Sequence, residues 1–367
     1  MSGFDKTRLE RVQSLLTEEV ASDRLMGAAV QVSQGGDVLA PFLAGRRRLD
    51  DASACVDADT VFLVASITKP IVAAAVVKLV EDGHILLDDP VSEYVPEFGV
   101  NGKEGVKVRH LLTHTSGLPD QIPENRAYRE GKRPLSDFVT RICELPLSFD
   151  PGTGISYQSS GIAMLGEICE RVTGIDLADY LKKSFFDPLG LTDTALKITD
   201  RSDRESDVVI AGEGLTHGGS GTDFDWNSDY WRGFGAPWGG MLTTVEEMTR
   251  LLLLFKNGGV IDGQRILSQR SVATMLEDHT SRFPLTADTD RHLQRWGLGW
   301  RLSGPNASAF GDLVSDDSFG HGGATGTLAW VDPGSEVTCV IFTNDPEAAS
   351  SLRGKISNLV MTAVSSP

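Results

Sequence analysis

The sequence is short of cysteine and has no long apolar run. Its cysteines are scattered along 367 residues without the close pairing of a metal site. No apolar stretch follows the N-terminal residues, so we expect no secretory signal, reduced thiols and a cytoplasmic location. The longest apolar run near a helix, residues 251–255, is too short to cross a bilayer and predicts no membrane partner. The four cysteines are Cys55, Cys143, Cys169 and Cys339.

Basic residues are also few. The 34 lysines and arginines stand against 51 acidic residues, which gives a formal net charge of −17. This balance disfavours nucleic acid as a partner, because its phosphates would be repelled. The chain has neither a phosphate-binding loop nor a dinucleotide fingerprint, so no cofactor is expected. The lack of a Gly-x-Ser-x-Gly segment disfavours an α/β-hydrolase.

Hydrophobic periodicity predicts strands near both chain ends and helices between them. Residues 4–22 have the apolar spacing of an amphipathic helix, and residues 27–46 have the pattern of a hairpin. We therefore expect an antiparallel sheet built from both chain ends, flanked by terminal helices, with a helical insertion between them. The remaining predicted strands are 297–302, 326–331 and 337–343, and the remaining predicted helices are 67–82, 135–144, 160–172, 176–184, 245–257 and one from about residue 346.

The segment Ser66-Ile67-Thr68-Lys69 joins a short extended run to an apolar helix. Residues three apart lie on one helix face, so Lys69 can reach the Ser66 hydroxyl. A serine needs a nearby base to become a nucleophile, and burial would lower the lysine pKa enough to provide one. The spacing alone is equally compatible with a helix-capping serine and a solvated lysine. The apolar helix that follows favours the catalytic interpretation, because burial of a lysine is costly unless it has a hydrogen-bonding partner or a catalytic role.

Two further segments could complete an acyl-transfer site. Tyr157 lies between a Pro-Gly turn and a predicted helix. This position is equally compatible with a role as general base and with a structural role. The segment Gly320-His321-Gly322-Gly323-Ala324 has the glycines that allow a backbone to approach a ligand closely. The N–H groups of Ala324 and Ser66 could form an oxyanion hole. The alternative is a glycine-rich strand end with an exposed histidine.

Two other groups of residues could form a metal or binding site. His110 and His114 have the i, i+4 spacing of a metal pair, but no Glu follows His110. Core or turn histidines are the preferred interpretation, and no metal is expected. The polar segment 224–238 is rich in aromatic residues and is predicted either to line a pocket or to anchor a long loop. The tryptophans assigned to that pocket are Trp226, Trp231 and Trp238.

Three segments together resemble the serine β-lactamase and penicillin-binding protein superfamily. They are Ser66-x-x-Lys69, Tyr157-x-Ser159 and His321-x-Gly323, in that order. The chain is most similar to the class C-like branch, which includes the family VIII carboxylesterases and D-amino-acid peptidases. The resemblance implies that Ser66 is the acylated nucleophile and that Lys69 and Tyr157 share its proton. Residues 87–91, 108–118 and 238–244 also resemble that branch.

The resemblance also implies a fold and a domain division. The expected class is α+β, a β-lactamase-like α/β sandwich with an antiparallel sheet flanked by helices and an all-helical insertion domain. Residues 1–85 and 236–367 would form the sandwich, and residues 86–235 the mostly helical domain. The active site would lie at their junction, beside Ser66.

The chain departs from the β-lactamase pattern at two positions. Ser159 replaces an asparagine amide, and His321 replaces a lysine that supplies positive charge near a substrate carboxylate. Histidine is mostly neutral at pH 7, which favours neutral esters over anionic β-lactams. We therefore predict a serine hydrolase, a carboxylesterase that acts on small to medium acyl esters through an acyl-enzyme. The alternatives are a β-lactamase or D-stereospecific peptidase acting on an amide, and a sensor that is acylated once. The oligomeric state is not indicated.

Overall fold

The largest element of the structure, a computed structural model, is an antiparallel sheet of eight strands. Residues 3–200, 202–210, 221–284, 294–304 and 309–364 are described. The strands are β1 (Gly27–Gln34), β2 (Asp37–Val38), β3 (Phe42–Gly45), β4 (Phe62–Leu63), β5 (Leu242–Thr243), β6 (Val260–Ile261), β7 (Gln264–Arg265), β8 (Arg295–Trp296), β9 (Arg301–Leu302), β10 (Phe319–Gly323), β11 (Thr327–Asp332) and β12 (Val337–Thr343).

The large sheet is built from the two ends of the chain. Its order is β2-β1-β12-β11-β10-β9-β8, and β3 also pairs with β1. The central pair joins β1 to β12 from Ala28 opposite Thr343 to Gln34 opposite Val337. This topology confirms the expected antiparallel sheet, because an N-terminal strand is inserted beside a C-terminal one. The pairs β4–β5 and β6–β7 form two small separate sheets.

Helices cover the sheet and fill the middle of the chain. The 16-residue N-terminal helix and the 18-residue C-terminal helix confirm the predicted terminal helices. The described helices are α1 (Lys6–Ala21), α2 (Thr68–Glu81), α3 (Val91–Tyr94), α4 (Val108–Leu112), α5 (Asn125–Glu130), α6 (Leu135–Glu144), α7 (Ser160–Thr173), α8 (Leu177–Leu181), α9 (Asp229–Phe234), α10 (Val245–Lys256), α11 (Gln269–Leu276) and α12 (Pro346–Ala363).

Both faces of the sheet are buried. Along β12, Cys339 and Ile341 belong to a core cluster with Val12 of α1 and Ile356 of α12. The alternate residues of the same strand, such as Phe342, belong to the larger cluster on the opposite face, which includes α2 and α10. Successive side chains of a strand point to opposite faces, so a strand covered on both sides is apolar throughout. The structure is therefore a helix–sheet–helix sandwich, as predicted.

The helical middle of the chain packs onto the sandwich through α2. This helix contacts α7 and α11, and eleven of its residues are buried. An apolar surface on every side of a helix is what such a central position requires. The predicted domain boundaries, at residues 85/86 and 235/236, stay a prediction. Among the described helices none is long and apolar enough to span a membrane.

The strand predicted at 297–302 is wrong. Two short strands, β8 and β9, are joined there by a turn in which Gly297 N–H donates to the Trp300 carbonyl over 2.9 Å. Gly299 has a φ of +80° and lies against α2, where a Cβ would come within 2.4 Å of the Ala73 Cβ. The alternation of apolar residues therefore marks a tight hairpin pressed onto the helix. The helix predicted at 176–184 is also shorter, because α8 gives way to a π-helical turn at Lys182–Phe186.

A first prediction concerns the contact between β10 and the segment that ends at Val64. A Cβ on Gly323 would lie 2.2 Å from the Val64 carbonyl oxygen, whereas the nearest atom to a Cβ on the adjacent Gly322 would be Arg353 Nη1 at 3.4 Å, an ordinary contact distance. We expect Gly323→Ala to lower the free energy of unfolding by about 1–3 kcal/mol, since the backbone must move. The matched Gly322→Ala should change it by less than about 1 kcal/mol. Urea denaturation of both variants tests this difference, and equal losses would contradict it.

Candidate active site

Ser66 lies at the start of α2, on a short 3₁₀ turn that spans Ala65–Ile67. Ala65 has a φ of +46°, a backbone conformation that alanine rarely adopts. All residues from Thr60 to Val77 are buried except Ser66, which is partly exposed. The turn therefore presents one hydroxyl to solvent from an otherwise buried stretch.

Threonine side chains hold this turn in place from several directions. Thr325 Oγ1 donates to the Leu63 carbonyl over 2.6 Å, and Thr327 Oγ1 donates to the Val64 carbonyl over 2.9 Å. Thr68 Oγ1 donates to the Ala65 carbonyl over 2.6 Å. These bonds satisfy carbonyls next to a strained residue and fasten the β10–β11 hairpin to the serine turn.

Lys69 is buried directly beneath Ser66. Its Nζ donates to Ser66 Oγ and to the Trp238 carbonyl, each over 2.9 Å. Burial disfavours the ammonium and lowers the Lys69 pKa to about 7, while the nearby Asp120 carboxylate acts in the opposite direction. A substantial fraction of Lys69 is therefore neutral near pH 7, in hydrogen-bond contact with a serine hydroxyl.

Tyr157 closes the other side of Ser66. The Ser66 side chain lies close enough to the Tyr157 hydroxyl to act on its pKa, and Lys69 Nζ lies 4.8 Å from the centre of the tyrosine ring. The rings of His114 and Trp296 pack against Tyr157 with centroid distances of 4.8 and 5.6 Å. Burial raises the Tyr157 pKa well above its ordinary value. The tyrosine therefore carries its proton at neutral pH, so in the free protein it is not the phenolate that a general base at this position would require.

His321 lies on β10 but supplies no positive charge. The residue is 4% exposed, and burial together with the Lys69 charge lowers its pKa to about 3. Its Nδ1 donates to the Gly322 carbonyl over 2.7 Å, which fixes the neutral tautomer. The alternative of an exposed histidine at this strand end is wrong.

His110 and His114 do not share a helix face. The helix α4 ends at Leu112, and His114 has a φ of +59° and turns its ring towards Tyr157. Its Nδ1 accepts the Gln158 N–H over 3.3 Å. No metal-binding group of His, Cys, Asp and Glu occurs among the described residues.

A cleft of about 660 Å³ opens above Ser66 and Tyr157. The glycine-rich strand forms one wall and contributes His321, Gly322, Gly323 and Ala324. This brings Ala324 to the same cleft as Ser66, the arrangement expected of two oxyanion-hole donors. The role of these N–H groups stays a prediction.

The aromatic segment 224–238 does not line this cleft. Trp226 and Trp231 are 5% and 2% exposed and belong to the hydrophobic core, where the Trp231 ring lies 4.0 Å from the Arg129 guanidinium carbon. The expectation that they form the substrate pocket is wrong, because their side chains anchor the segment inward. Trp238 contacts the site through its carbonyl, which accepts from Lys69, and it lines a small adjacent depression instead of this cleft.

Ser159 also lies outside the cleft that contains Ser66. It lines a small adjacent depression, and its backbone N–H donates to Asp120 Oδ1 over 2.7 Å. The structure thus brings together Ser66, Lys69, Tyr157 and the glycine-rich strand, and leaves Ser159 to one side.

The sequence reasoning missed three side chains that surround the cleft. Trp296 and Arg301 come from the β8–β9 hairpin, and Arg353 comes from α12. The sequence predicted one strand at 297–302 instead of this hairpin, and an arginine on a strand carries no local signal of where its side chain points. Nothing in the spacing of these residues relates them to Ser66.

Comparisons with known proteins agree on the fold. The family profile described as "Beta-lactamase" matches residues 12–359. A relative named "Putative D-alanyl-D-alanine carboxypeptidase", from Salmonella heidelberg (strain SL476), is 27% identical over 94% of this chain and 84% of its own. The solved structure of EstCE1, described as a hydrolase with promiscuous acyltransferase activity, has a TM-score of 0.79 at 22% identity and covers 97% of this chain and 99% of its own. A family VIII carboxylesterase has a TM-score of 0.73 at 21% identity, over 95% and 97% of the two chains.

Fold and profile together define a β-lactamase-fold serine hydrolase. The chain belongs to the β-lactamase family, because the profile match extends over nearly all of its residues. The resemblance seen in the sequence is therefore confirmed.

A second prediction follows from the lowered pKa of Lys69. An unfolded lysine titrates near 10.5 and the folded one near 7, so the burial penalty is complete below pH 7 and disappears above about pH 10.5. As the pH falls from about 10 to about 7, the free energy of unfolding of the unmutated protein should decrease by on the order of a few kcal/mol relative to that of Lys69→Met. Urea denaturation across this range measures the difference.

Lys78→Met is the control for this experiment, because it removes another lysine from the same helix. A pH dependence of the stability difference that appears with both variants reports the loss of a lysine from α2. The additional pH dependence that appears only with Lys69→Met reports the burial of Lys69. A stability difference for Lys69→Met that stays constant over the range would contradict the lowered pKa.

Proposed function

We propose that this protein is a carboxylesterase that hydrolyses small to medium acyl esters through an acyl-enzyme on Ser66. One observation carries the proposal: Ser66 Oγ, at the base of an open cleft, accepts a 2.9 Å hydrogen bond from a buried lysine with a pKa of about 7. A nucleophile in contact with a base that is partly neutral at working pH is what acyl transfer requires.

In the proposed mechanism neutral Lys69 takes the proton from Ser66 as Oγ bonds to the ester carbon. The resulting oxyanion is stabilised by the N–H groups of Ser66 and Ala324. Collapse of this intermediate breaks the bond to the alcohol oxygen, which receives a proton from the Tyr157 hydroxyl. Tyr157 recovers its proton from the Lys69 ammonium. Water then attacks the acyl-serine by the same route in reverse and releases the carboxylic acid.

The opposite pKa shifts of the two groups support this division of roles. Burial makes Lys69 easier to deprotonate and Tyr157 harder to deprotonate. Both groups lie beside Ser66, so their protons are coupled and an observed pH profile belongs to the pair. We therefore propose Lys69 as the base and Tyr157 as the proton donor in the protonation state that is most populated near pH 7.

A second candidate is a β-lactamase or D-stereospecific peptidase. The name of the relative from Salmonella heidelberg favours it. Against it, neutral His321 occupies the position at which the β-lactamase pattern has a lysine. Comparing kcat/KM for p-nitrophenyl butyrate, nitrocefin and a D-alanyl-D-alanine peptide separates the candidates, and a larger value for either amide would overturn the esterase assignment. Release of one equivalent of nitrophenol and no more would instead indicate an acylated sensor.

A third prediction concerns the nucleophile. Ser66→Ala should lower kcat for p-nitrophenyl butyrate by about 10³-fold or more, because covalent catalysis is lost. A phosphonate inhibitor should add its mass to the Ser66 peptide. The matched control is Ser14→Ala, which removes an exposed serine of α1 and should leave both results unchanged. An adduct on another residue would reject the proposed mechanism.

A fourth prediction concerns Tyr157, whose ring packing is kept in Tyr157→Phe. If its hydroxyl protonates the departing oxygen, the loss of activity should depend on the leaving group. Nitrophenolate departs without help, whereas an alkoxide needs a proton, so the loss should be about 10- to 100-fold larger for ethyl butyrate than for p-nitrophenyl butyrate. Steady-state kinetics with both esters measures this ratio. Equal losses would assign Tyr157 a role earlier than departure of the leaving group.

A further inference from the structure

Tyr157 lies in a stretch of chain without helix or strand, residues 154–158, so regular secondary structure does not fix its position. The residues on either side of it are held instead by one residue of another segment. The Ser156 N–H donates to the His114 carbonyl over 2.9 Å, and the Gln158 N–H donates to His114 Nδ1 over 3.3 Å. His114 therefore binds the backbone immediately before and immediately after the tyrosine.

The His114 side chain also packs on the tyrosine itself. The centre of its ring lies 4.8 Å from that of Tyr157 and 4.4 Å from that of Trp296. The residue is fully buried, so water does not compete for its acceptor nitrogen. Backbone bonds and a ring contact from a single residue thus act together on the position of Tyr157.

The bond to Gln158 requires a neutral histidine with its proton on Nε2. In this tautomer Nδ1 accepts a hydrogen bond, whereas an imidazolium has no acceptor. Burial, together with the Lys69 charge, lowers the His114 pKa well below its ordinary value. The ring therefore stays neutral at the pH at which Lys69 acts as a base, and the bond beside Tyr157 is kept.

The backbone at His114 is in the left-handed region, with a φ of +59°. A residue other than glycine holds this conformation at a cost in free energy, and such strain persists where surrounding contacts determine it. Two neighbouring bonds supply further contacts. The Gly152 N–H donates to the Thr115 carbonyl, and Ser116 Oγ donates to Gln158 Oε1, each over 2.8 Å. The segment that begins at His114 is therefore fastened to the tyrosine segment over several residues.

We propose that His114 is a positioning residue, which holds the Tyr157 hydroxyl where it can transfer a proton to the leaving group of the ester. This inference rests on the proposed esterase function and adds a residue to its machinery. His114 is not among the described residues that line the cleft, so it acts through Tyr157 and touches no reacting atom. A displacement of a reacting group by about 1 Å can cost on the order of 100-fold in rate.

The experiment uses the leaving-group dependence expected for Tyr157. His114→Ala removes the ring and the Nδ1 acceptor. If the tyrosine hydroxyl is then misplaced, kcat should fall about 10- to 100-fold for ethyl butyrate and much less for p-nitrophenyl butyrate. Steady-state kinetics with both esters measures the two losses. Equal losses in His114→Ala, with unequal losses in Tyr157→Phe, would overturn the proposal.

A double variant separates the positioning of Tyr157 from a general structural role. Tyr157→Phe has no hydroxyl left to position, so the addition of His114→Ala should cause little further loss of ethyl butyrate turnover. This expectation holds for whichever step the hydroxyl serves. A further loss as large as that caused by His114→Ala alone would overturn the proposal, because His114 would then act independently of Tyr157.

Two more variants assign the effect to the Nδ1 acceptor. The side-chain oxygen of asparagine is as many bonds from the backbone as Nδ1, and asparagine tolerates a positive φ. His114→Asn should therefore recover part of the activity lost in His114→Ala, and no recovery would overturn the proposal.

The matched control is His110→Ala. It removes another buried histidine whose Nδ1 accepts a backbone N–H, in this case that of Lys107 over 3.2 Å. His110→Ala should leave the ratio of kcat for the two esters unchanged. A change in that ratio as large as in His114→Ala would overturn the proposal.

Two further measurements keep the outcomes distinct. If His114→Ala does not fold, as judged by thermal melting, nitrogen NMR of the histidine rings in the unmutated protein tests the hydrogen bond, and a proton on His114 Nδ1 near neutral pH would overturn the proposal. Ser66→Ala separates the two levels of inference. Ser66-dependent turnover with fully additive losses in the double variant would overturn only the role of His114. Absence of Ser66-dependent turnover of every ester would overturn the esterase function and this inference together.

Discussion

The buried contact between Lys69 and Ser66 is the interaction on which the rest of the site depends. An ammonium removed from water is costly, and among the described residues only a serine hydroxyl and the Trp238 carbonyl are within hydrogen-bond distance of Nζ. The protein reduces this cost by making the neutral amine accessible near pH 7. The same burial that penalises folding thus produces a base, which is the usual relation between stability and a tuned catalytic group.

The surrounding fold keeps that contact rigid. The serine turn contains Ala65 with a positive φ, and such strain persists only where neighbouring structure over-determines the backbone. Threonines of the β10–β11 region bind the carbonyls before Ser66, and Gly323 allows the strand to lie against Val64 without a Cβ between them. Close packing between the sheet and the helical part therefore positions the nucleophile, and loosening of that junction would misplace it.

The distribution of charge in the cleft distinguishes this chain from the pattern it resembles. His321 is buried and neutral, so the glycine-rich strand offers shape and backbone donors but no cation. Arg301 brings a guanidinium to the same cleft from the adjacent strand β9, supported by Trp296. The cation in this cleft therefore comes from β9 and not from the glycine-rich strand.

The sequence by itself determined the features that depend on local geometry. Helical spacing places Lys69 one turn from Ser66, and the apolar patterns locate the terminal helices, the paired strands β1 and β12 and the buried helix α2. Only the tertiary structure decided which distant side chains meet. Tyr157, Trp296 and Arg301 converge because strand order and the β8–β9 hairpin bring them to one wall, whereas Trp226 and Trp231 turn into the core. Side-chain direction on a loop or short strand depends on long-range packing, which no local spacing records.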